Sequence, residues 1–159
     1  MPPKQIRPKS LADYLDVMSR IGFEAGLSWR VVEAKWDDIR RGFHGFDPER
    51  VARMTPQAVE KLLDDERVIR SRSKIEATID NAETMLALDA EHKGFRRYLR
   101  SHDDFEATVK DLRKRFKFVG DHGAYRFLWI VGERVPPYDD WAKSRGLRPM
   151  SASTRRSRR

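Results

Sequence analysis

The basic segment at residues 67–74, RVIRSRSK, holds the residue types that most clearly suggest a binding chemistry. It contains three arginines and one lysine. Ser73 is followed three residues later by Glu76, which is the spacing of a capping box at a helix N-terminus. Such a terminus presents free backbone N–H groups and a partial positive charge, so phosphate is the natural ligand. An ordinary helical hairpin with a solvated basic turn is equally consistent with this spacing.

A second segment, FEAGLSW at residues 23–29, combines groups that could form one wall of an aromatic pocket. Gly26 permits a tight turn or a close backbone approach, and Ser28 can cap the helix that follows. Trp29 would then lie in the first helical turn, with Glu24 close by. By residue type alone the plainer interpretation is favoured, in which Trp29 belongs to the core and Glu24 is solvated.

Apolar residues at three- and four-residue spacing predict a helix on each side of the basic segment and indicate helices elsewhere along the chain. Ser10 with Asp13 predicts the first helix start, residues 22–26 interrupt that helix, and a second helix runs from about Ser28 to Phe43. Asp47-Pro48 and Thr55-Pro56 each place a capping side chain before a proline suited to the first helical position.

The C-terminal half predicts three further helical segments. A short one lies around Phe95, a longer one ends near Arg115, and the last runs from about Gly123 to Val131 until Pro136-Pro137 stops it. No strand-like alternation and no internal repeat is evident. The expected architecture is a compact all-α domain of about seven helices at residues 10–146. A flexible leader at 1–9 and a disordered basic tail at 147–159 flank it.

Composition favours a polyanionic partner, because the net charge is +8 over 159 residues. The last nine residues carry four arginines, so half of this charge lies in the tail. Cysteine is absent, which excludes disulfides and thiolate metal sites and fits a reducing cytoplasm. The sequence has no run of membrane-spanning length and no signal peptide. The four histidines match no metal motif, so neither a metal nor another cofactor is expected.

Five blocks of the sequence, in order, together resemble the DNA-3-methyladenine glycosylase I family of the helix-hairpin-helix superfamily. The blocks are FEAGLSW, KWDDIRRGFHGFDPERVA, VEKLLDDERVIRSRSKIEATIDNA, DLRKRFKFVG and AYRFLWIVG, and they span roughly residues 14–132. The resemblance implies an all-α fold with a cleft between helical lobes. It also implies base-excision repair of double-stranded DNA, in which an alkylated purine is flipped into the cleft and its N-glycosidic bond is hydrolysed.

The resemblance also implies roles for individual residues. Trp29 occupies the place of the family's pocket tryptophan, and His122 follows a block that the family places near the cleft. The expected base pocket consists of Phe23, Gly26, Ser28, Trp29 and His122. The expected DNA-binding residues are Arg67, Arg70, Arg72, Ser73 and Lys74 in the hairpin, with Lys114, Arg115 and Lys117 as further backbone contacts.

Four features depart from the family pattern. The family's block Tyr-His-Asp-x-Glu-Trp-Gly, whose aromatic residues help to build the base pocket, has no counterpart in residues 1–13. The glutamate that contacts the flipped base in the family is Ile21 here. The family's nearby glutamine is Glu24, which we therefore expect to act as a relocated catalytic carboxylate. The family's zinc, held by two Cys and two His, is not expected.

Two functions remain after this comparison of residues. The chain is expected to be a soluble, cytoplasmic, nucleoid-associated monomer that excises alkylated purines such as 3-methyladenine. The alternative is a catalytically degenerate DNA-binding module on the same scaffold. A purine-sized pocket containing both Trp29 and Glu24 would favour the enzyme.

Overall fold

The computed structural model describes residues 4–147. Nine α-helices and one 3-10 turn account for the secondary structure of these residues, and no strand occurs among them, which confirms the all-α prediction. The helices are α1 (Leu11–Glu24), α2 (Trp29–Gly42), α3 (Pro48–Ala52), α4 (Pro56–Leu63), α5 (Arg72–His92), α6 (Phe95–Leu99), α7 (Phe105–Arg115), α8 (Asp121–Ile130) and α9 (Tyr138–Ser144), and the 3-10 turn is His44–Phe46.

Three of the predicted helix starts are confirmed by their capping hydrogen bonds. The side chain of Ser28 accepts from the Arg30 backbone N–H, that of Asp47 from Glu49, and that of Thr55 from Ala58. In α3 and α4 a proline occupies the first turn, where the backbone N–H that it lacks has no helical partner. The sequence was sufficient to predict these helix starts, because each capping side chain bonds to a backbone N–H within four residues along the chain.

The prediction for α1 was wrong in two details. Ser10 makes no side-chain capping bond; instead the Asp13 carboxylate accepts from the Lys9 backbone N–H at 2.8 Å. The helix also continues through Gly22 to Glu24. A helical glycine costs only about 1 kcal/mol, and the burial of Ile21 and Phe23 on either side outweighs that cost.

The C-terminal prediction needs a similar correction. Helix α8 begins at Asp121, two residues before the predicted start. A further helix, α9, follows Pro137, which stands at its N-cap. Helix α8 already ends at Ile130, before the proline pair, so the pair does not stop it as predicted but precedes α9, because proline is compatible with a helix start. Trp141 and Ala142 on α9 are buried, and this packing stabilises a helix of only seven residues.

Helix α5 is the central element of the fold. Its 21 residues extend about 31 Å, and it packs against α1, α3, α4 and α6. One polar contact fixes the segment after α7: the Asn81 side-chain amide donates to the Lys117 carbonyl at 3.1 Å and accepts from the Lys117 N–H at 2.8 Å. The chain before α8 is thereby held against α5.

The N-terminal segment lies along the end of α8. The Ile6 backbone N–H donates to the Ile130 carbonyl at 2.7 Å, and the Gln5 side chain donates to the Trp129 carbonyl at 2.9 Å. Part of the predicted leader is thus in contact with the domain. The domain boundaries remain a prediction, and residues 148–159 of the predicted tail at 147–159 lie outside the described residues.

Candidate functional site

An open cavity of about 730 Å³ lies between α1, α2, α8 and the N-terminal segment, and it is large enough for a purine base. Both Trp29 and Glu24 line it, and a shared pocket of these two residues is what favours an enzyme over a binding module. Its walls include Val17, Ile21, Glu24, Trp29, Glu33 and Arg126. A second cavity of about 680 Å³ borders α6, α7 and the chain after α8, and it contains none of the predicted site residues.

Trp29 lies on the cavity wall and is 54% exposed, so the interpretation of Trp29 as a core residue is wrong. It is the first residue of α2, and the Ser28 cap fixes where that helix begins. The Arg30 guanidinium lies 5.6 Å from the centre of the Trp29 ring. A large aromatic ring that stays exposed beside a cavity offers a surface on which a flat ligand can stack.

Glu24 ends α1, and its side chain is only 11% exposed, so it is not a solvated surface residue. One carboxylate oxygen lies 3.3 Å from Arg20 Nε, and the other lies 3.0 Å from Arg126 Nη1. The carboxyl group therefore lies between two guanidinium groups at the edge of the cavity. Its expected catalytic role stays a prediction.

Phe23 does not line the cavity, which corrects its assignment to the base pocket. It is 1% exposed, and its ring packs at 6.1 Å between centroids against both Trp36 and Phe43. Successive residues of a helix point about 100° apart, so Phe23 faces the core while Glu24 faces the cavity. Gly26 has a φ of +77°, a left-handed conformation that favours glycine, and it lets the loop turn between α1 and α2.

The apolar floor of the cavity is formed in part by Ile21, the residue that replaces the family's glutamate. It is 6% exposed. A Cβ at Gly123 of α8 would lie 3.1 Å from Ile21 Cγ2, so glycine there permits the close packing of α8 on α1. Two functional candidates were not found from sequence: Arg126 on the cavity wall and Leu27, which is 42% exposed on the adjacent loop.

His122 lies one turn before Arg126 on α8 and is not among the residues that line the cavity. Its ring packs edge-on against Tyr138, with centroids 5.6 Å apart. Loss of solvent around the ring lowers the pKa of His122, and the positive charge of Arg126 lowers it further. The neutral imidazole is therefore favoured. Its predicted role in the base pocket remains a prediction.

The basic segment does join two helices, α4 and α5, as expected. The predicted capping box of Ser73 and Glu76 is wrong, because α5 begins two residues earlier. Ser71 is the N-cap and accepts from the Lys74 backbone N–H at 3.4 Å. Ser73 Oγ lies 3.3 Å from Ser71 Oγ, and Glu76 pairs with Arg72 at 3.8 Å.

Most of the predicted phosphate-binding cations already have acidic partners in the free protein. Arg67 pairs with Asp65 at 2.9 Å and Arg72 with Glu60 at 2.5 Å. In the later segment, Arg115 pairs with Asp111 at 3.0 Å and Lys117 pairs with Asp80. Within residues 4–147, Arg70 and Lys114 have no ion-pair partner and are exposed, so they are the most available of the predicted cations.

The Lys74 side chain is half-buried and its ammonium group is bonded to backbone carbonyl groups, which argues against its predicted role as a phosphate ligand. Its Nζ donates to the Phe23 carbonyl at 2.8 Å and to the Ala25 carbonyl, and it lies 6.0 Å from the Phe118 ring centre. Burial lowers the pKa of Lys74. The carbonyl groups at the end of α1 carry partial negative charge, so they attract the ammonium group into the fold. Lys74 therefore joins the hairpin to the loop that carries Leu27 and leads to Trp29 at the start of α2.

No group of three or more His, Cys, Asp or Glu residues in the described part of the chain could hold a metal ion. Between residues 4 and 147, no helix is both long enough and apolar enough to cross a membrane.

Comparison with solved structures places this helical domain in a known class. The chain is similar to the crystal structure of 3-methyladenine DNA glycosylase I, with a TM-score of 0.69, 32% identity, and coverage of 80% of this chain and 81% of that one. The shared fold is therefore that of an all-helical DNA glycosylase.

The sequence comparisons define the family. Residues 13–114 match the sequence profile of the family described as methyladenine glycosylase. The DNA-3-methyladenine glycosylase 1 of Escherichia coli is 35% identical over 132 residues, which cover 70% of this chain and 71% of that protein. The DNA-3-methyladenine glycosylase of Haemophilus influenzae is 30% identical over 132 residues, which again cover 70% of this chain and 71% of that protein. The chain belongs to the methyladenine glycosylase family.

Proposed function

We propose that this protein is a base-excision repair glycosylase that hydrolyses the N-glycosidic bond of alkylated purines, such as 3-methyladenine, in double-stranded DNA. The observation that carries the proposal is the shared cavity of Trp29 and Glu24, which satisfies the criterion set by the sequence analysis. The relatives' activity supports it, since both curated relatives are DNA-3-methyladenine glycosylases. The protein is proposed to act as a cytoplasmic, nucleoid-associated monomer.

Excision of an N3-alkylated purine requires little acid or base catalysis from the protein. Alkylation at N3 places a positive charge on the purine and weakens its glycosidic bond, so the base is already a good leaving group. The protein must flip the nucleotide, hold the base and stabilise the cation-like sugar. Trp29 is proposed to stack on the flipped ring, and Ile21 provides an apolar surface on which the ring can lie.

The DNA is proposed to approach over the hairpin and the loop between α1 and α2. The N-terminus of α5 offers backbone N–H groups to a phosphate, and the exposed cations Arg70 and Lys114 add charge. Leu27 lies exposed on the loop between α1 and α2, two residues before Trp29. We propose that its side chain fills the gap that the flipped base leaves in the duplex, because apolar wedges stabilise unstacked base steps.

Release of free base from alkylated duplex DNA by the purified protein tests this function. Trp29→Ala is expected to reduce the excision rate about tenfold, because the loss of base stacking costs on the order of 1–3 kcal/mol. Val31→Ala is the matched control, since Val31 is exposed on the same helix at 46% but does not line the cavity. Binding of alkylated DNA without any release of base would instead favour the degenerate binding module.

A further inference from the structure

The wall of the cavity carries four acidic and four basic side chains, so any excess of charge is local. Glu24 is the carboxylate of a three-residue cluster in which Arg20 and Arg126 supply two guanidinium groups. The cluster therefore carries a net positive charge. The carboxylate is 11% exposed, whereas the side chains of Arg20 and Arg126 are 37% and 30% exposed. Within this cluster the guanidinium groups are more accessible to a ligand than the carboxylate is.

Arg126 is the donor best placed to contact a base. It lines the cavity from α8, whereas Trp29 lines it from α2, so a ring stacked on Trp29 can present its edge to Arg126. Only Nη1 of Arg126 is paired, with Glu24 at 3.0 Å. Within residues 4–147 its remaining N–H groups have no hydrogen-bond or ion-pair partner. A guanidinium group holds its donors in one plane at fixed spacing, so the free donors can engage two neighbouring acceptors.

The edges of the two purines differ in the groups that they offer to such a pair of donors. Guanine presents two acceptors, O6 and N7, whereas adenine presents the N7 acceptor beside the N6 amino donor. A guanidinium fork matches guanine at both positions. Against adenine, one N–H would face another donor and lose its hydrogen bond. Alkylation at N3 leaves O6 and N7 free, whereas alkylation at N7 removes one of the two acceptors.

We propose that Arg126 is a specificity-determining residue that reads the O6 and N7 acceptors of the flipped base, so that this glycosylase prefers N3-alkylated guanine to N3-alkylated adenine. Glu24 holds the guanidinium in place by pairing with Nη1, and Trp29 holds the ring. The inference rests on the proposed function and adds to it the choice between the two purines.

Duplex DNA treated with a methylating agent carries 3-methyladenine, 3-methylguanine and 7-methylguanine in one sample, and it provides an internal comparison. Single-turnover release of each base is measured by chromatography and normalised to its abundance. We expect 3-methylguanine to leave about tenfold faster than 3-methyladenine, the size of one matched pair of base contacts. Release of 7-methylguanine should be slow, because its N7 cannot accept.

The variant Arg126→Met keeps the length and apolar stem of the side chain and removes the donors. It is expected to bring the ratio of the two rates close to one by slowing the release of 3-methylguanine. Arg126→Lys keeps the charge beside Glu24 but not the planar fork, and it should give an intermediate ratio. Arg100→Met is the matched control, because Arg100 pairs with a glutamate, Glu133, that is 10% exposed and lies outside this cavity. It should keep the wild-type ratio.

Calorimetric titration with the free bases 3-methylguanine and 3-methyladenine separates the inference from the proposed function. Tighter binding of 3-methylguanine that is lost in Arg126→Met supports the role of Arg126. If base release is absent while this preference remains, the proposed function fails and the specificity stands. Equal affinity for the two bases, or a rate ratio that Arg126→Met leaves unchanged, overturns the inference.

Discussion

Glu24 shows how the chemical meaning of a side chain depends on what surrounds it. From the sequence it is a carboxylate next to a turn, and its distance along the chain from Arg126 gives no sign that the two side chains meet. In the structure its charge is shared between Arg20 and Arg126 beside the cavity. A carboxylate in this position can both hold a guanidinium and favour the positive charge that develops on the sugar.

Replacing Glu24 with Gln keeps the shape and removes the charge, which leaves Arg20 and Arg126 with only an amide oxygen between them. We expect the free energy of unfolding to fall by about 1 kcal/mol, a modest cost because both arginines are partly exposed. Excision of alkylated purines should fall roughly tenfold. Urea unfolding and single-turnover base release measure the two effects.

The control for this variant is Glu133→Gln, which breaks the comparable pair with Arg100 outside the cavity. It should lower stability by a similar amount and leave excision unchanged. Equal losses of excision in the two variants would mean that Glu24 acts through stability alone.

His122 gives the protein a predictable sensitivity to acid. Its pKa lies below the ordinary value of about 6.5 in the folded protein, through the burial of its ring and the charge of Arg126. Between the folded and unfolded pKa values, the unfolded chain binds more protons, so stability falls as the pH drops through that window. The wild type should therefore lose more stability between pH 7.5 and pH 5.5 than His122→Gln. Thermal unfolding at the two pH values tests this, and parallel losses would contradict it.

At the residue scale, the role of a side chain could be predicted from the sequence where its hydrogen-bond partner is a near neighbour along the chain. Ser28, Asp47 and Thr55 were identified as caps because each bonds to an amide within three residues. The role of Lys74 could not be predicted in this way. Its positive charge suggested that it binds a phosphate, but its partners are carbonyl groups about fifty residues away. Residue type alone cannot distinguish these two environments.

At the scale of elements, hydrogen bonds join the hairpin directly to the end of α1 and the loop that follows it. Lys74 of α5 donates to the carbonyl groups of Phe23 and Ala25, and the loop that follows carries Leu27 and ends at Trp29, the first residue of α2. The same α5 begins with the N-terminus that is proposed to bind a phosphate. A phosphate bound at the start of α5 would therefore lie on the helix that is bonded directly to the loop before Trp29.

Two substitutions in the hairpin should have distinct effects because Arg70 and Lys74 face different surroundings. Arg70→Ala removes an exposed cation without an ion-pair partner among residues 4–147, so the slope of log K against log salt should fall by about 0.9. Lys74→Met should leave that slope unchanged and slow excision, because the loop loses its anchor. Titrations of duplex DNA at several salt concentrations, with single-turnover kinetics, provide the measurements. A reduced salt slope in Lys74→Met would show that its ammonium group reaches the DNA.

The pattern of apolar residues was sufficient to predict most of the helices, because amphipathic spacing reports burial directly. Helix α9 was missed for a physical reason: its seven residues are too few for a periodic pattern, and the preceding prolines indicate an end as readily as a start. The resemblance implied a cleft with Trp29 on its wall, but the other walls of the cavity, including Arg126, could not be predicted from the sequence. The cavity arises from the packing of α1, α2 and α8 together with Ile6, and α8 is far from the other three in sequence.

For the whole molecule, the two ends of the described chain are held by ordinary packing and polar contacts. Ile6 is bonded to the end of α8, and Trp141 of α9 is 3% exposed against the core. Arg145 after α9 pairs with Glu106 of α7 and, at 3.1 Å, with Asp121 of α8. These contacts close the C-terminal side of the domain without any metal ligand.

The protein is therefore expected to fold and remain stable without zinc. The chain has no cysteine, so the thiolates that would bind zinc most strongly are absent. Where a structural metal contributes to folding, its removal lowers stability by much of the binding free energy. Treatment with a chelator should leave the midpoint of thermal unfolding unchanged, and metal analysis of the purified protein should find no stoichiometric zinc. Trp141→Ala provides the positive control, because loss of a buried tryptophan costs about 3–5 kcal/mol and should lower the same midpoint clearly. A fall in the midpoint with chelator, or one zinc per chain, would show that a metal holds part of this fold.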